Sequence, residues 1–395
     1  MKPRVVIFRS TPIAPEPRVE KIAAVLAGSY QVYIVGWDRT GKLPIKQETG
    51  SFSLERYSHP AAFGSGMRNL GRLLQWQLFL IGWVIRNGKG IRIIHACDFD
   101  TVLPALLAKL IFCCRVVYDI FDFYADHVRN TPWWIKSLIR QADRAAVRLS
   151  DAVILVDESR RVQLKGIRIS QLEVIYNTPL DVPTAKAFPV DAPTQALGLT
   201  LPPEQEQAQP ISLRLAYVGL LQVERGLLIV LEVLQKHPNW HLDLAGFGGD
   251  ESLILEHLAQ STNVTWHGQV PYEIALALNL AADVLFATYD PSIENHRYAS
   301  PNKVFEAMML GKPVVVARDT NMDRLIEANR CGLVVPFGES GALEAAFERL
   351  ALDVQLRGEL GRNARLAYDS RYSWDKMGEK LLQLYASLIR APKNL

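Results

Sequence analysis

Asn302, Lys303 and Glu306 lie at spacings i, i+1 and i+4 in the stretch HRYASPNKVFEAMMLGKPVVV. On a helix the amide and the carboxylate share one face, with the ammonium close by. Ser300-Pro301 reads as the start of that helix, Ser as N-cap and Pro at the first helical position. The pattern predicts a helix to Leu310, a stop at Gly311 and a strand from Pro313 to Ala317. A helix N-terminus attracts anions through its free N–H groups and dipole. A Lys in the first turn suits a phosphate, and a Glu one turn further suits the vicinal hydroxyls of a sugar. The plainer alternative is a surface helix carrying a Lys303–Glu306 ion pair.

Two more turns have the composition to join this group. Tyr217-Val218-Gly219-Leu220 ends a strand pattern, and Glu224-Arg225-Gly226 opens the expected helix Arg225–Lys236. Gly219 permits close backbone approach, and Arg225 offers a planar, permanently charged fork. Ala245-Gly246-Phe247-Gly248-Gly249-Asp250 is a second glycine-rich turn. Glycines at such turns are often only structural, and the dinucleotide fingerprint GxGxxG is absent, since the run continues into Asp250-Glu251. Ligands of open α/β sheets bind at the carboxyl ends of the strands. That rule gathers Gly219, Arg225, Phe247, Lys303 and Glu306 into a cradle for a nucleoside diphosphate. Asp98-Phe99-Asp100 allows another reading, a carboxylate pair holding a divalent cation on a diphosphate. Because it ends a strand, Asp100 reads better as the cap of the next helix.

The supporting elements follow from the same pattern. Apolar β-rich runs such as Arg4–Phe8 and Ile91–His95 alternate with helical patterns such as Val19–Ala27, Met67–Arg86, Thr101–Phe112 and Trp133–Leu149. That alternation predicts an α/β chain with parallel doubly wound sheets. At 395 residues the chain exceeds one core. A Pro-, Gln- and Ala-rich stretch without periodicity separates two Rossmann-like halves. The expected division is 1–177, a linker or insertion at 178–210, 211–372, and a final helical segment at 373–395. An apolar share of 49% with 22% charged residues suits a soluble globular protein, and a net charge of +3 gives no case for nucleic acid. Cys97, Cys113, Cys114 and Cys331 lack CxxC spacing and read as reduced thiols of a cytoplasmic protein. MKPRVVIF enters a strand at once, with no signal-peptide pattern.

Over nearly its full length the chain resembles the retaining family-4 (group 1) glycosyltransferases of GT-B fold, two Rossmann-like domains facing across a cleft. The resemblance rests on Tyr217–Gly226, on LAGFG at Leu244–Gly248, on Val264–Phe286, on SPNKVFEAMMLGKPVVVA at Ser300–Ala317 and on CGLVVPFG at Cys331–Gly338. PRVEKIAAVL, IIHACDFDTVLPALLAKL, VVYDIFDFYADH and VIYNTP add softer matches in the first half. It implies transfer of a sugar, with retention and without metal or cofactor, from a nucleoside-diphosphate-sugar co-substrate to a glycan or lipid-linked acceptor. The setting implied is surface polysaccharide or glycolipid assembly. Arg225 and Lys303 would face the diphosphate, with the Ser300, Pro301 and Asn302 backbone. Glu306 would hold the ribose hydroxyls. His267 and Val270 would lie against the base, and the Tyr289–Tyr298 loop, with Tyr298, against the sugar. Three positions depart from the family pattern. Tyr298 stands for the first Glu of a paired-glutamate motif, Leu220 for an Arg, and Phe121 for a His beside the reacting sugar. Asp122 and His127 are the nearby candidates for that last role.

A second theme is membrane contact. Trp134–Leu149 places Ile135, Leu138, Ile139, Ala142, Ala145, Ala146 and Leu149 on one helical face, and Lys136, Arg140, Arg144 and Arg148 on the other, after Trp133-Trp134. That distribution suits the anionic inner face of a membrane. The apolar stretch LLQWQLFLIGWVI within Arg68–Arg92 has 13 residues, too short for a span of about 20. Core packing beneath a basic face is the alternative for both segments. Two rival functions remain beside sugar transfer: a nucleotide-sugar 2-epimerase, for which no acid/base set on the C2 side is evident, and a non-catalytic glycosyltransferase-like subunit.

Overall fold

The computed structural model describes residues 2–13, 15–61, 70–127, 131–182, 211–259 and 261–390. The expected linker 178–210 and the start of the Met67–Arg86 helix fall largely outside them. The chain divides into two compact units, Met1–Tyr176 with Met377–Leu395, and Asn177–Lys376.

The first unit runs β1 (Arg4–Arg9), α1 (Pro17–Ala27), β2 (Gln31–Asp38), β3 (Lys46–Glu48), β4 (Ser53–Ser58), α2 (Leu70–Asn87), β5 (Ile91–Cys97), α3 (Phe99–Phe112), β6 (Arg115–Ile120), α4 (Tyr124–His127), α5 (Trp133–Leu149), β7 (Ala152–Leu155) and β8 (Leu172–Val174). Its sheet has the order β3-β4-β2-β1-β5-β6-β7-β8 and is parallel except at β3. Both faces are covered, so the central strands are continuous apolar runs, as in the buried Val5–Phe8 of β1. Helices α2, α3 and α5 pack over one face, where Trp76, Trp83, Val102, Ala105, Ala146 and Val147 meet the strands. The strand order reverses between β1 and β5, and this is the topological switch point of the sheet.

The second unit runs β9 (Leu213–Leu220), α6 (Leu227–Lys236), β10 (Trp240–Phe247), α7 (Glu251–Leu258), β11 (Val264–Trp266), α8 (Tyr272–Ala281), β12 (Val284–Ala287), α9 (Asn302–Leu310), β13 (Val314–Ala317), α10 (Met322–Asn329), β14 (Gly332–Val335), α11 (Ser340–Leu352) and α12 (Val354–Ala367). The order β11-β10-β9-β12-β13-β14 is wholly parallel, and its switch point lies between β9 and β12. The last helix, α13 (Trp374–Arg390), carries Tyr385 and Ser387. Within the first unit the Tyr385 hydroxyl pairs with His95 Nδ1 at 2.7 Å, and Ser387 donates to Gln171 at 3.0 Å.

Several sequence expectations are displaced. Pro301, not Ser300, occupies the N-cap of α9, because its ψ of 139° keeps it extended and the helix starts at Asn302. Asp98, not Asp100, occupies the cap position of α3, since the chain turns there at φ 65° and helical geometry begins at Phe99. Arg225 ends a short 3-10 turn, Val223–Arg225, and Gly226 at φ 73° separates that turn from α6. A Cβ at Gly226 would stand 2.5 Å from Thr288 Oγ1, so the close approach admits no side chain. On α5 the core-facing residues are Asp143, Ala146 and Val147, while Leu138 and Leu149 are each 57% exposed. Tyr118 draws that helix around by donating to Asp143 at 2.6 Å.

Candidate functional site

The second unit gathers its charged residues at the β9/β12 switch point. Tyr217 lies on β9 two residues before Gly219, and its buried hydroxyl donates to the Leu220 carbonyl at 2.7 Å. That leaves the ring face open to the first turn of α9, where Lys303 Nζ sits 3.2 Å from the ring centroid. Gly219, at φ 155°, carries no side chain in this space, and a Cβ there would stand 3.4 Å from Lys303 Nζ. The Lys303 nitrogen is buried and has no hydrogen-bond partner. Burial and the nearby Arg225 charge hold its pKa well below the ordinary lysine value, against a smaller opposing pull from Glu306.

Arg225 reaches the same edge from the turn after β9. Its guanidinium carbon lies 4.0 Å over the ring of Tyr289, the second residue beyond β12. Its Nε donates to Gln222 at 3.3 Å, and its carbonyl accepts from Thr288 at 3.2 Å. Burial raises the Tyr289 phenol, which Arg225 counters through charge and a hydrogen bond. Burial and the same guanidinium depress His296. Glu306, one turn beyond Lys303, accepts from Asn279 of α8 at 3.3 Å. It also bonds Tyr272, whose phenol is raised by burial and by this carboxylate. Two cations, one anion and two aromatic platforms therefore share one sheet edge.

The other expected donor-side residues are distributed around this group. Phe247 ends β10 opposite Leu220 and is 51% exposed. Ser300, Pro301, Tyr298 and Val270 are partly exposed, and Asn302 is exposed at the first position of α9. In the His267–Val270 loop the His267 ring is turned inward. Its Nε2 pairs with Asp243 at 2.8 Å, and only 6% of the side chain is exposed. Burial would raise the Asp243 carboxyl, but His241, His267 and Arg214 together hold it well below the usual range.

On the first unit, Asp122 is tied to Arg160 at 2.7 Å. Phe121 stacks under Arg9 and Arg18, with guanidinium-to-centroid distances of 4.1 and 4.9 Å. The carboxylates of the Asp98-Phe99-Asp100 pattern are separately engaged. Asp98 forms an ion pair with Arg9 and accepts the Phe121 N–H at 2.8 Å, and Asp100 is hydrogen-bonded by Ser10. Trp133, Trp134, Lys136, Arg140, Arg144 and Arg148 all lie on α5 of the first unit. The buried trio His95, Cys97 and Asp119 has ligand-type atoms within 4.8 Å of one another. Its acceptors are already used: Arg18 forks onto Asp119, and His95 bridges Asp119 and Tyr385.

The sequence reading did not assign roles to Tyr217 as a platform or to Tyr272 as a partner of Glu306. The available signal for the first was an aromatic two residues ahead of a strand-ending glycine, facing a lysine more than eighty positions away.

Comparison with known proteins agrees with this architecture. Residues 204–367 match the family described as glycosyl transferases group 1. A D-inositol 3-phosphate glycosyltransferase of Corynebacterium jeikeium is 25% identical over 363 residues, covering 78% of this chain and 85% of that protein. Sucrose-phosphate synthase from Thermosynechococcus elongatus superimposes with a TM-score of 0.77 at 18% identity, over 99% of this chain and 100% of that one. Anabaena HepE in complex with UDP and glucose gives 0.68 at 18% identity, over 97% and 99%. The second half of the chain is thus similar to the group 1 glycosyltransferases, and the whole chain has the GT-B fold.

Proposed function

We propose that this chain transfers a sugar, with retention and without a metal ion, from a nucleoside-diphosphate-sugar to a hydroxyl of a glycan or lipid-linked acceptor. The reading places it in surface polysaccharide or glycolipid assembly on the cytoplasmic side, with the basic helix α5 against an anionic membrane. The second unit takes the donor and the first takes the acceptor.

The observation that carries the donor side is the buried, unpartnered Lys303 nitrogen close to Arg225 at the switch point. Two like charges brought together without an acceptor between them oppose folding. A diphosphate supplies the missing acceptor oxygens and the missing negative charge. As the glycosidic bond breaks, the leaving diphosphate gains charge, and fixed cations beside the N–H groups of α9 stabilise it without reorganisation. Glu306 is positioned one turn deeper, where a carboxylate accepts from ribose hydroxyls. The complex of HepE with UDP and glucose supports this choice of ligand.

Calorimetry with UDP and other nucleoside diphosphates, followed by NMR of the product anomer from each matching nucleotide sugar, tests the reading. Binding together with a retained anomeric configuration is the expected result. Inversion overturns retention, a C2 epimer formed from donor alone establishes the epimerase, and binding without turnover alongside acceptor extracts and partner subunits establishes a non-catalytic subunit.

A further inference from the structure

Helices α2, α3 and α5 lie side by side over one face of the first sheet. They run in the same direction: Gln77 of α2 donates to the Asp100 carbonyl at the start of α3, and Lys109 near the end of α3 donates to the Leu149 carbonyl at the end of α5. Their inner faces form the core, and their outer faces are also apolar. On α2, Leu74, Leu78 and Ile85 are each 60% exposed. Leu110 of α3 is 80% exposed, and Trp133 at the head of α5 is 81% exposed. Of the 22 large apolar side chains that are exposed among the described residues, 11 lie on these three helices. Monomeric soluble proteins seldom concentrate apolar surface in this way.

The charge on this layer is predominantly basic, with Lys109 ion-paired to Asp151 at 2.8 Å. The three helices carry seven basic residues, Arg72, Arg86, Lys109, Lys136, Arg140, Arg144 and Arg148, and two acids. Neither acid belongs to the outer surface. Asp143 is buried beneath Tyr118, and Asp100 is held in the first turn of α3 with one carboxylate oxygen buried. No helix among the described residues is long and apolar enough to cross a membrane.

We infer that the outer face of α2, α3 and α5 is a membrane-docking surface, with the leucines of α2 and α3 entering the headgroup–acyl boundary of an anionic leaflet and the basic side chains meeting its phosphates. Two exposed tryptophans at one end match the interfacial preference of that side chain. Apolar burial and attraction to anionic lipid reinforce one another in such a surface. A second copy of the chain is a poorer occupant, because pairing this face with itself opposes like charges without an acid between them. The inference rests on the membrane placement proposed above and deepens it: adsorption through α5 alone engages only that helix's basic and apolar side chains, whereas this surface also buries leucines of α2 and α3.

Sedimentation of the full chain with phosphatidylcholine vesicles, with and without phosphatidylglycerol, tests it. The wild type is expected to bind the anionic vesicles and to retain part of that binding at high salt. Leu74→Glu with Leu78→Glu is expected to weaken binding by about tenfold or more at both salt levels, with melting temperature and nucleotide binding unchanged. Arg140→Gln with Arg148→Gln should remove chiefly the salt-sensitive part. Wild-type vesicle binding by the leucine variant overturns the inference, as does no binding of the wild type to anionic vesicles. Light scattering that shows a wild-type dimer and a monomeric leucine variant, with neither on vesicles, assigns the face to a second copy. Nucleoside-diphosphate calorimetry on the same samples reports on the transferase reading independently of all these outcomes.

Discussion

Lys303 Nζ stands 3.2 Å from the centroid of the Tyr217 ring, so an aromatic face takes the place of an anionic partner for a buried ammonium. The ring only partly offsets burial and the repulsion from Arg225, and the lysine pKa falls well below its ordinary value. The folded chain therefore releases this proton at lower pH than the unfolded chain, whose lysine titrates near 10.4. The destabilisation is fully present below the folded pKa, and stability rises with pH between the two values. A bound diphosphate restores the charged form. Calorimetry of UDP binding in buffers of different ionisation enthalpy, at an alkaline pH within that window, should show net proton uptake by the wild type and none by Lys303→Met. The same substitution should raise the melting temperature of the ligand-free chain and abolish the UDP-induced increase. Equal proton uptake by the two proteins would sink the assignment.

Arg225 should act on turnover. Its guanidinium lies on the Tyr289 ring outside the main core cluster, so truncation leaves the packed sheet intact. Arg225→Ala is expected to lower kcat by on the order of 10²–10³, the scale of losing one preorganised donor to a charged leaving group. Lys303→Ala should fall in the same range. Unchanged turnover in both variants, with circular dichroism confirming the fold, would remove the leaving group from this edge.

Glu306 should act on binding. It is braced by Asn279 and Tyr272. A carboxylate so held accepts from ribose hydroxyls equally in ground and transition states, which affects KM more than kcat. Glu306→Gln is expected to raise the donor KM by about ten- to a hundredfold, the range for hydrogen bonds to a charged group. A large drop in kcat at unchanged KM would assign Glu306 to the chemistry instead.

The parts of this edge that were legible in the sequence are local. Gly219 at a strand end, Lys303 and Glu306 one turn apart, and Gly311 closing the helix all follow from spacings of a few residues. The Tyr217–Lys303 and Arg225–Tyr289 pairs depend on β9 lying beside β12, a pairing of segments about seventy residues apart that no short pattern encodes. The engagement of the His267 ring was hidden for a related reason. Its ring is claimed by Asp243 on the neighbouring strand, whose demand for a partner becomes visible only once β10 and β11 are aligned. The periodicity of α5 defined an apolar stripe, but Tyr118 and Asp143 fix which side faces inward. The short β3 and β4 lie at and next to the sheet edge and lack the long apolar runs that mark central strands.

Chelation should leave the rate unchanged. Asp98 forms an ion pair with Arg9 and accepts a backbone N–H, and Asp100 accepts from Ser10, so these groups compete with a cation for the carboxylates. Titration with EDTA, followed by back-addition of magnesium or manganese, checks this. Loss of activity restored by metal would revive the carboxylate-pair reading.

Asp122 has two possible roles that kinetics can separate. Its side chain is 41% exposed, while Arg160, which holds it at 2.7 Å, is 4% exposed. If Asp122 serves the reacting sugar in place of the histidine absent at Phe121, Arg160 only positions it. Asp122→Asn should then lower kcat by about 10²-fold, the lower end for a positioned proton-handling group. Arg160→Gln should cost less, and its effect should disappear in the Asp122→Asn background. If the pair is instead only a tether between β6 and the segment after β7, both single variants and the double variant should show equal small losses of stability. Turnover would then be unaffected. Melting curves and single-turnover rates measured on all four proteins distinguish these outcomes, because a tether moves the first quantity and a catalytic carboxylate moves the second.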